Sequence, residues 1–259
     1  VARDGNSAKN APKRLLGQRL PHTFHQARQA LAGSIENSSE QSPCKAIRGE
    51  VSVDEHRAQA VMQELVASGQ VTDPDSARGK LLQMAAHLFR SKGYERTTVR
   101  DLAAAIGIQS GSIFHHFKSK EEILRSVMEE TIVYNTALMR AALAEAQGTR
   151  ERLLALIRCE LQSIMGGTGE AMAVLVYEWR SLSEEGQAQV LALRDTYEQI
   201  WLAVLGEARE AGYFKGDPFI QRRFLTGALS WTNTWFRSQG PMTLDQLAEE
   251  ALSLVCKEA

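Results

Sequence analysis

The sequence predicts an all-α protein, with an N-terminal three-helix helix-turn-helix unit followed by a larger helical bundle. Three observations carry that prediction. From Ala77 almost to the C-terminus, apolar residues recur at helical spacing, interrupted at Gly93, Gly107, Gly148, Gly166-Gly167-Thr168-Gly169, Gly186, Gly216-Asp217-Pro218 and Gly240-Pro241. No segment alternates cleanly enough to be a strand. Helix-start pairs, Thr98 with Asp101 and Ser119 with Glu122, precede two of the periodic runs.

Taken in order, residues 1–50 are rich in Ser, Asn, Gln, Gly and Ala with scattered apolar positions, so a flexible, mildly basic arm is expected there. Over 51–76, Ser52 followed by Val53-Asp54-Glu55 starts a helix, Ala58, Val61, Met62, Leu65 and Val66 give it one apolar face, and Gly69 stops it. Asp73-Pro74-Asp75 is a turn. The helix-turn-helix unit then spans 77–122. Leu81, Leu82, Ala85, Leu88 and Phe89 stripe a roofing helix that ends at Lys92-Gly93. Thr98 and Asp101 form a capping box, Leu102, Ala103 and Ile106 face inward, and Gly107 supplies a left-handed turn. Ile108 and Ile113 resume the apolar face in a second helix, Gln109 to Phe117. Ala103, Gly107 and Ile113 at these offsets meet the packing requirements of a helix-turn-helix.

A net charge of −1 is spread unevenly. Arg78, Lys80, Arg90, Lys92, Arg96, Arg100, Lys118 and Lys120, with Arg125 just beyond, face only Glu95 and Asp101 before Glu121-Glu122. Affinity for phosphate follows the local surface, so this window is the candidate nucleic-acid face. Ser110, Gly111 and Ser112 at the start of the second helix let a backbone approach DNA closely. The Gln109 amide suits adenine, and the two serine hydroxyls suit bases or phosphates. His115, His116, Lys118 and Lys120 fall at the helix exit, where they would pair with phosphates; Arg100 is a further basic candidate. Adjacent helical residues point about 100° apart, so His115 and His116 do not form a metal site.

Cys44, Cys159 and Cys256 are odd in number and lack Cys-x-x-Cys spacing, which argues against a disulfide framework or zinc ribbon. Ala171–Tyr177, the most apolar short stretch, is far below the roughly 20 residues that span a bilayer. With no signal segment opening the chain, a soluble, cytoplasmic protein is expected. No His-Glu-x-x-His, Gly-x-Ser-x-Gly, P-loop or dinucleotide motif is present, so neither an enzyme nor a cofactor is expected.

The string TTVRDLAAAIGIQSGSIFHHFKSKEEIL resembles the DNA-binding signature of TetR-family repressors, and the resemblance extends over residues 78 to about 255. It implies phosphate or base contacts from Thr98, Gln109, Ser110, Gly111, Ser112, Phe114, His115, His116 and Lys120. At Phe114 many members carry tyrosine, so here the contact would be apolar. EAGYFKGDPF and GALSWTNTWFRSQGPMTLDQLAEEAL resemble the branch that responds to acyl-CoA thioesters in lipid, steroid-ring or aromatic-acid catabolism. Residues 1–77 have no counterpart in the family pattern and read as a partner-binding arm or an upstream extension.

Residues 123–259 are then the sensing and dimerising domain, with helices expected at 120–147, 150–165, 170–182, 186–212, 217–238 and 242–257. The dimer surface is expected on Val190, Leu193, Tyr197, Trp201 and Val204 of one helix and Phe224, Ala228, Trp231 and Trp235 of the next; the family pairs these helices into a four-helix bundle with their mates. An effector pocket is expected between the middle helices, lined by some of Leu161, Met165, Met172, Leu175, Val176, Tyr177, Trp179, Trp231 and Trp235, residues that also suit plain core. Arg158, Arg180 and Arg194 could meet a carboxylate or CoA phosphate at its mouth, or solvent. The expected function is a dimeric repressor of an operator inverted repeat, released by an apolar effector. A non-DNA-binding scaffold recruiting a partner through the arm is the alternative.

Overall fold

Caps and glycine stops divide residues 53–256, the part described in this computed structural model, into ten α-helices and two 3-10 turns. The arm expected over 1–50, the Ser52 helix start and the last positions of the expected final helix lie outside the described residues. The helices are α1 (Val53–Ala67), α2 (Ala77–Lys92), α3 (Val99–Ile106), α4 (Ser110–Ile113) and α5 (Lys120–Glu145). There follow α6 (Gly148–Met165), α7 (Gly169–Tyr177), α8 (Glu184–Glu210), α9 (Pro218–Trp231) and α10 (Leu244–Ser253). The 3-10 turns, Trp179–Ser181 and Thr232–Thr234, follow α7 and α9.

The starts obey capping chemistry. The Ser76, Thr98, Ser119, Ser183 and Thr243 side chains each accept from a backbone N–H three residues on, and Asp217 does so with Pro218 at the first helical position. Ser119 and Glu122 do not close the expected reciprocal box. The Glu122 carboxylate reaches one residue further back and accepts from Lys118 N–H at 2.5 Å.

Several expected helices are shorter than their periodicity suggests. The run 170–182 breaks at Tyr177 into the Trp179–Ser181 turn, and 217–238 breaks at Trp231 into Thr232–Thr234. The segment after Gln109 is regular only over Ser110–Ile113; Phe114, His115 and His116 N–H bond to carbonyls three residues back, at 3.2, 3.2 and 2.9 Å.

Helix α5 threads three apolar clusters because its faces differ. Its first half, with Ile123, Leu124, Val127, Met128 and Ile132, joins α2, α3, α4, α7, Leu182 and Val190 in one core. Met139 and Ala142 join α6, α8, α9 and α10 in a second. Its outer face, Val133, Tyr134, Ala137, Leu138 and Ala141, receives Val61, Leu65 and Val71 from α1 and the turn behind it. Gly79, in the first turn of α2, lies hard against that turn. A Cβ there would meet Pro74 Cα at 2.8 Å and the Asp73 carbonyl carbon at 2.9 Å, so only glycine fits.

Candidate nucleic-acid interface

Helices α2, α3 and α4 share a core of Leu81, Ala85, Phe89, Leu102, Ala103, Ile113 and Phe117. Between α3 and α4, Gly107 adopts φ 73° and returns its N–H to α3, the left-handed stop that its position requires. Thr98 and Asp101 complete a reciprocal capping box, so the Thr98 hydroxyl is engaged within the protein, at 2.8 Å from Asp101 Oδ2. Bonds from the Thr98 backbone and hydroxyl hold the Asp101 carboxyl below its usual range, with Lys92 adding to the effect.

The outward face presents Gln109, Gly111, Phe114 and His115, all exposed, with Ser110 and Ser112 half-buried beside them. Phe114 is 56% exposed, a large apolar ring left without a core. At Gly111 a Cβ would meet nothing within 4 Å, so the fold does not require glycine there. Lys118 and Arg100 are exposed, and His116 is half-buried.

Two basic residues are placed differently from expectation. Lys120 turns inward: its ammonium donates to the Tyr94 carbonyl at 3.0 Å and the Thr97 carbonyl at 3.1 Å, and lies 4.0 Å from the Tyr94 ring centroid. These bonds bind α5 to the loop before α3, which corrects the phosphate role expected of Lys120. Burial, with Glu121 and Glu95 nearby, pushes the Tyr94 phenol up to about 12. Arg78 is likewise half-buried and bonded inward.

In the second half of the chain, the expected dimer face divides. Val190, Trp201 and Val204 are fully buried in the protomer, and Leu193 and Tyr197 pack against its cores. They are core residues, because the inner face of α8 lies on α5, α6 and α9 rather than outward. On α9 the opposite holds: Phe224 is 73% and Trp231 65% exposed, with Ala228 exposed on the same helix and Trp235 exposed just past the 3-10 turn. The expected effector lining is not gathered into one cavity either. Leu161 is core, Met165 packs on one cluster, and Met172, Leu175 and Trp179 belong to the other. Val176, Tyr177 and Trp231, in the last turns of α7 and α9, face outward, as does Trp235 beyond the 3-10 turn, because Val174, Leu175 and Leu229 occupy the inner side of those helices. Arg180 is exposed, Arg194 lies 5.7 Å from the Trp179 ring centroid, and Arg158 pairs with Asp245 at 2.8 Å. A cleft of about 270 Å³ opens instead at the joint of α5 and α8, lined by Lys118, Ser119, Glu121, Glu122, Arg125, Ser183, Glu185 and Gly186.

Sequence reasoning missed a buried polar cluster. Arg222, 1% exposed, pairs with Glu160 and Glu198, each at 3.3 Å, and lies 4.2 Å from the Trp201 ring centroid. The Tyr197 hydroxyl donates to the same Glu160 oxygen at 2.5 Å. Burial works against the Arg222 charge, yet Glu160, Tyr197 and Glu198 more than offset it and raise its pKa. Burial foremost, and then Glu160, pushes the Tyr197 phenol well above its ordinary value. A charged residue repeating in register with an apolar face, as Arg222 does with Leu225 and Leu229, was the available signal.

A capped helix, a left-handed glycine turn and a short exposed segment on a shared core define a helix-turn-helix DNA-binding regulator. Residues 81–127 match bacterial regulatory proteins of the tetR family, and residues 146–258 match the tetracyclin repressor-like C-terminal domain. The chain belongs to the TetR family of transcriptional regulators, which are not enzymes. It is 31% identical over 193 residues to the HTH-type transcriptional repressor KstR2 of Mycobacterium tuberculosis (strain ATCC 25618 / H37Rv), covering 73% of this chain and 94% of that protein. The solved structure of that ketosteroid regulator superposes with a TM-score of 0.65 at 29% identity, covering 73% of this chain and 99% of that one. A fatty acid metabolism regulator of Bacillus subtilis (strain 168) is 25% identical over 68% of this chain and 92% of its own. A crystal structure described as superantigen pfit is 75% identical, with a TM-score of 0.70, covering 78% of this chain and all of that one. Among the described residues no helix is long and apolar enough to cross a membrane.

Proposed function

We propose that this protein is a repressor that binds an operator inverted repeat as a homodimer and is released by an apolar acyl thioester. The observation that carries the DNA half is the face of Gln109, Gly111, Phe114 and His115, where Gly111 leaves open space that the fold does not need. Gln109, Ser110, Ser112 and Phe114 read bases, whereas Arg100, His115, His116 and Lys118 meet phosphates, and Thr98 contributes through its cap. Two such faces, set roughly 34–36 Å apart by pairing of α9 faces through Phe224, Ala228, Trp231 and Trp235, match successive major grooves. The effector half rests on relatives named for fatty acid metabolism and ketosteroid regulation, both apolar classes, with the thioester taken from the resemblance of the C-terminal segments. Met165, Met172, Leu175 and Trp179 are its candidate contacts.

The test is binding to a labelled fragment from upstream of its own gene at two salt concentrations, with and without an acyl-CoA mixture. Saturable binding that weakens with salt and is released by the thioesters supports the reading. Binding that ignores them keeps the operator and removes the effector; no binding at either salt removes both.

A second reading comes from the structure described as superantigen pfit: engagement of a protein partner through the exposed α9 face. The two readings make opposite use of that face. Self-association that hides Trp231 from solvent quenching favours the repressor, and a monomer with Trp231 open favours the partner.

A further inference from the structure

Helix α1 and its following turn lie outside the reading head, yet they are tied to it. Val61, Leu65 and Val71 dock on the outer face of α5, and Arg57 pairs with Glu145 at 2.5 Å near that helix's far end. At its near half the Glu130 carboxylate accepts from the Thr72 N–H at 3.0 Å and from the Thr72 hydroxyl at 2.7 Å. Thr72 Oγ1 in turn accepts from Arg78 Nε at 3.3 Å. Arg78 Nη1 donates to the His116 carbonyl at 2.5 Å, and its guanidinium lies 3.9 Å from the Phe117 ring centroid.

These bonds diverge from Arg78, which donates to Thr72 on one side and to the His116 carbonyl on the other. A guanidinium can donate but not accept, so the single hydroxyl proton of Thr72 must go to Glu130, and each bond polarises the next. One branch thus ends on Glu130 and the other on a carbonyl at the exit of the reading segment, where backbone acceptors lack helical partners and a cation is favoured, so Thr72 and Glu130 hold the guanidinium that His116 accepts from.

We infer that residues 53–76 are a strap that fixes the posture of the reading segment against α5, and that Arg78 is a positioning residue rather than a phosphate contact. This rests on residues 109–118 being the DNA reader, but its first readout needs no DNA. Amide hydrogen exchange of the free protein is measured for wild type, Thr72→Val, Thr72→Ser and Glu130→Met. Thr72→Val is expected to speed exchange over residues 114–118 roughly three- to tenfold, the worth of one hydrogen bond, with α6 and α10 unchanged. Thr72→Ser restores the wild-type rates. Glu130→Met, which cuts the link from its other side, must give the same local pattern. On the upstream DNA fragment, Thr72→Val and Arg78→Gln each weaken binding without changing its salt slope, and the double variant is no weaker than Arg78→Gln alone.

Unchanged exchange in Thr72→Val would overturn the relay, as would additive losses. A salt slope reduced by about one in Arg78→Gln would mark a lost phosphate contact and return Arg78 to the DNA surface. If the wild type bound no fragment while exchange still responded at 114–118, the operator reading would fall and the strap would stand.

Discussion

Asp101 Oδ2 accepts from both the Thr98 amide and the Thr98 hydroxyl, at 2.8 Å each, and the ionised carboxylate accepts such bonds more strongly than the neutral acid. Its folded pKa therefore lies below the ordinary 3.8. The carboxylate's contribution is complete above that ordinary value and is lost as pH falls through the lower folded one. Acid titration of helicity should show this loss in the wild type and not in Asp101→Asn, whereas Thr98→Ala should cost about 1 kcal/mol in urea denaturation at neutral pH. This pair was legible because its members sit three residues apart. Lys120 and Arg78 were not, because their acceptors are backbone carbonyls on other elements, which no side-chain pattern records. Arg222 and Glu160 are 62 residues apart, so their pairing exists only in the fold. Arg222→Met should cost about 3–5 kcal/mol in urea denaturation, since it strands a buried carboxylate; Arg222→Met with Glu160→Met should recover much of that loss.

At the level of elements, periodicity located nearly every helix but misjudged which face of α8 is inner. Both α8 and α9 carry aromatic stripes, and composition alone does not say that Trp201 roofs a buried arginine while Trp231 meets solvent. Helix ends were misread for a related reason. Apolar residues resume just beyond the 3-10 turns, at Leu182 after Trp179–Ser181 and at Trp235-Phe236 after Thr232–Thr234, so the pattern runs on where the hydrogen bonding changes. If α9 is the pairing face, Phe224→Asp should shift the protein from dimer to monomer in sedimentation, with protomer melting little changed, because that side chain has no protomer core to leave. Trp201→Ala, by contrast, should cost about 3–5 kcal/mol of protomer stability.

Across the described residues, no break in packing falls at the boundary expected at 122/123. One core runs from Leu81 through Met128 to Val174 and Val190, so the reading head shares its interior with the domain behind it. Calorimetry of the protein should accordingly show one cooperative transition for head and bundle, with calorimetric and van't Hoff enthalpies equal; two separated transitions would contradict the shared core. The all-helical class was legible because periodicity is a local property. The continuity of the core was not, because it depends on which faces α5 turns toward its neighbours.

Gly79 sets the tolerance of this assembly. Since α2 abuts the Asp73-Pro74 backbone with no room for a methyl group, an alanine there would act as a wedge. The turn or the helix must then give way, and because Thr72 directly precedes the Asp73-Pro74 backbone, that displacement bears on its bonds to Glu130 and Arg78. One added carbon atom at the foot of the latch thus pushes against its closing.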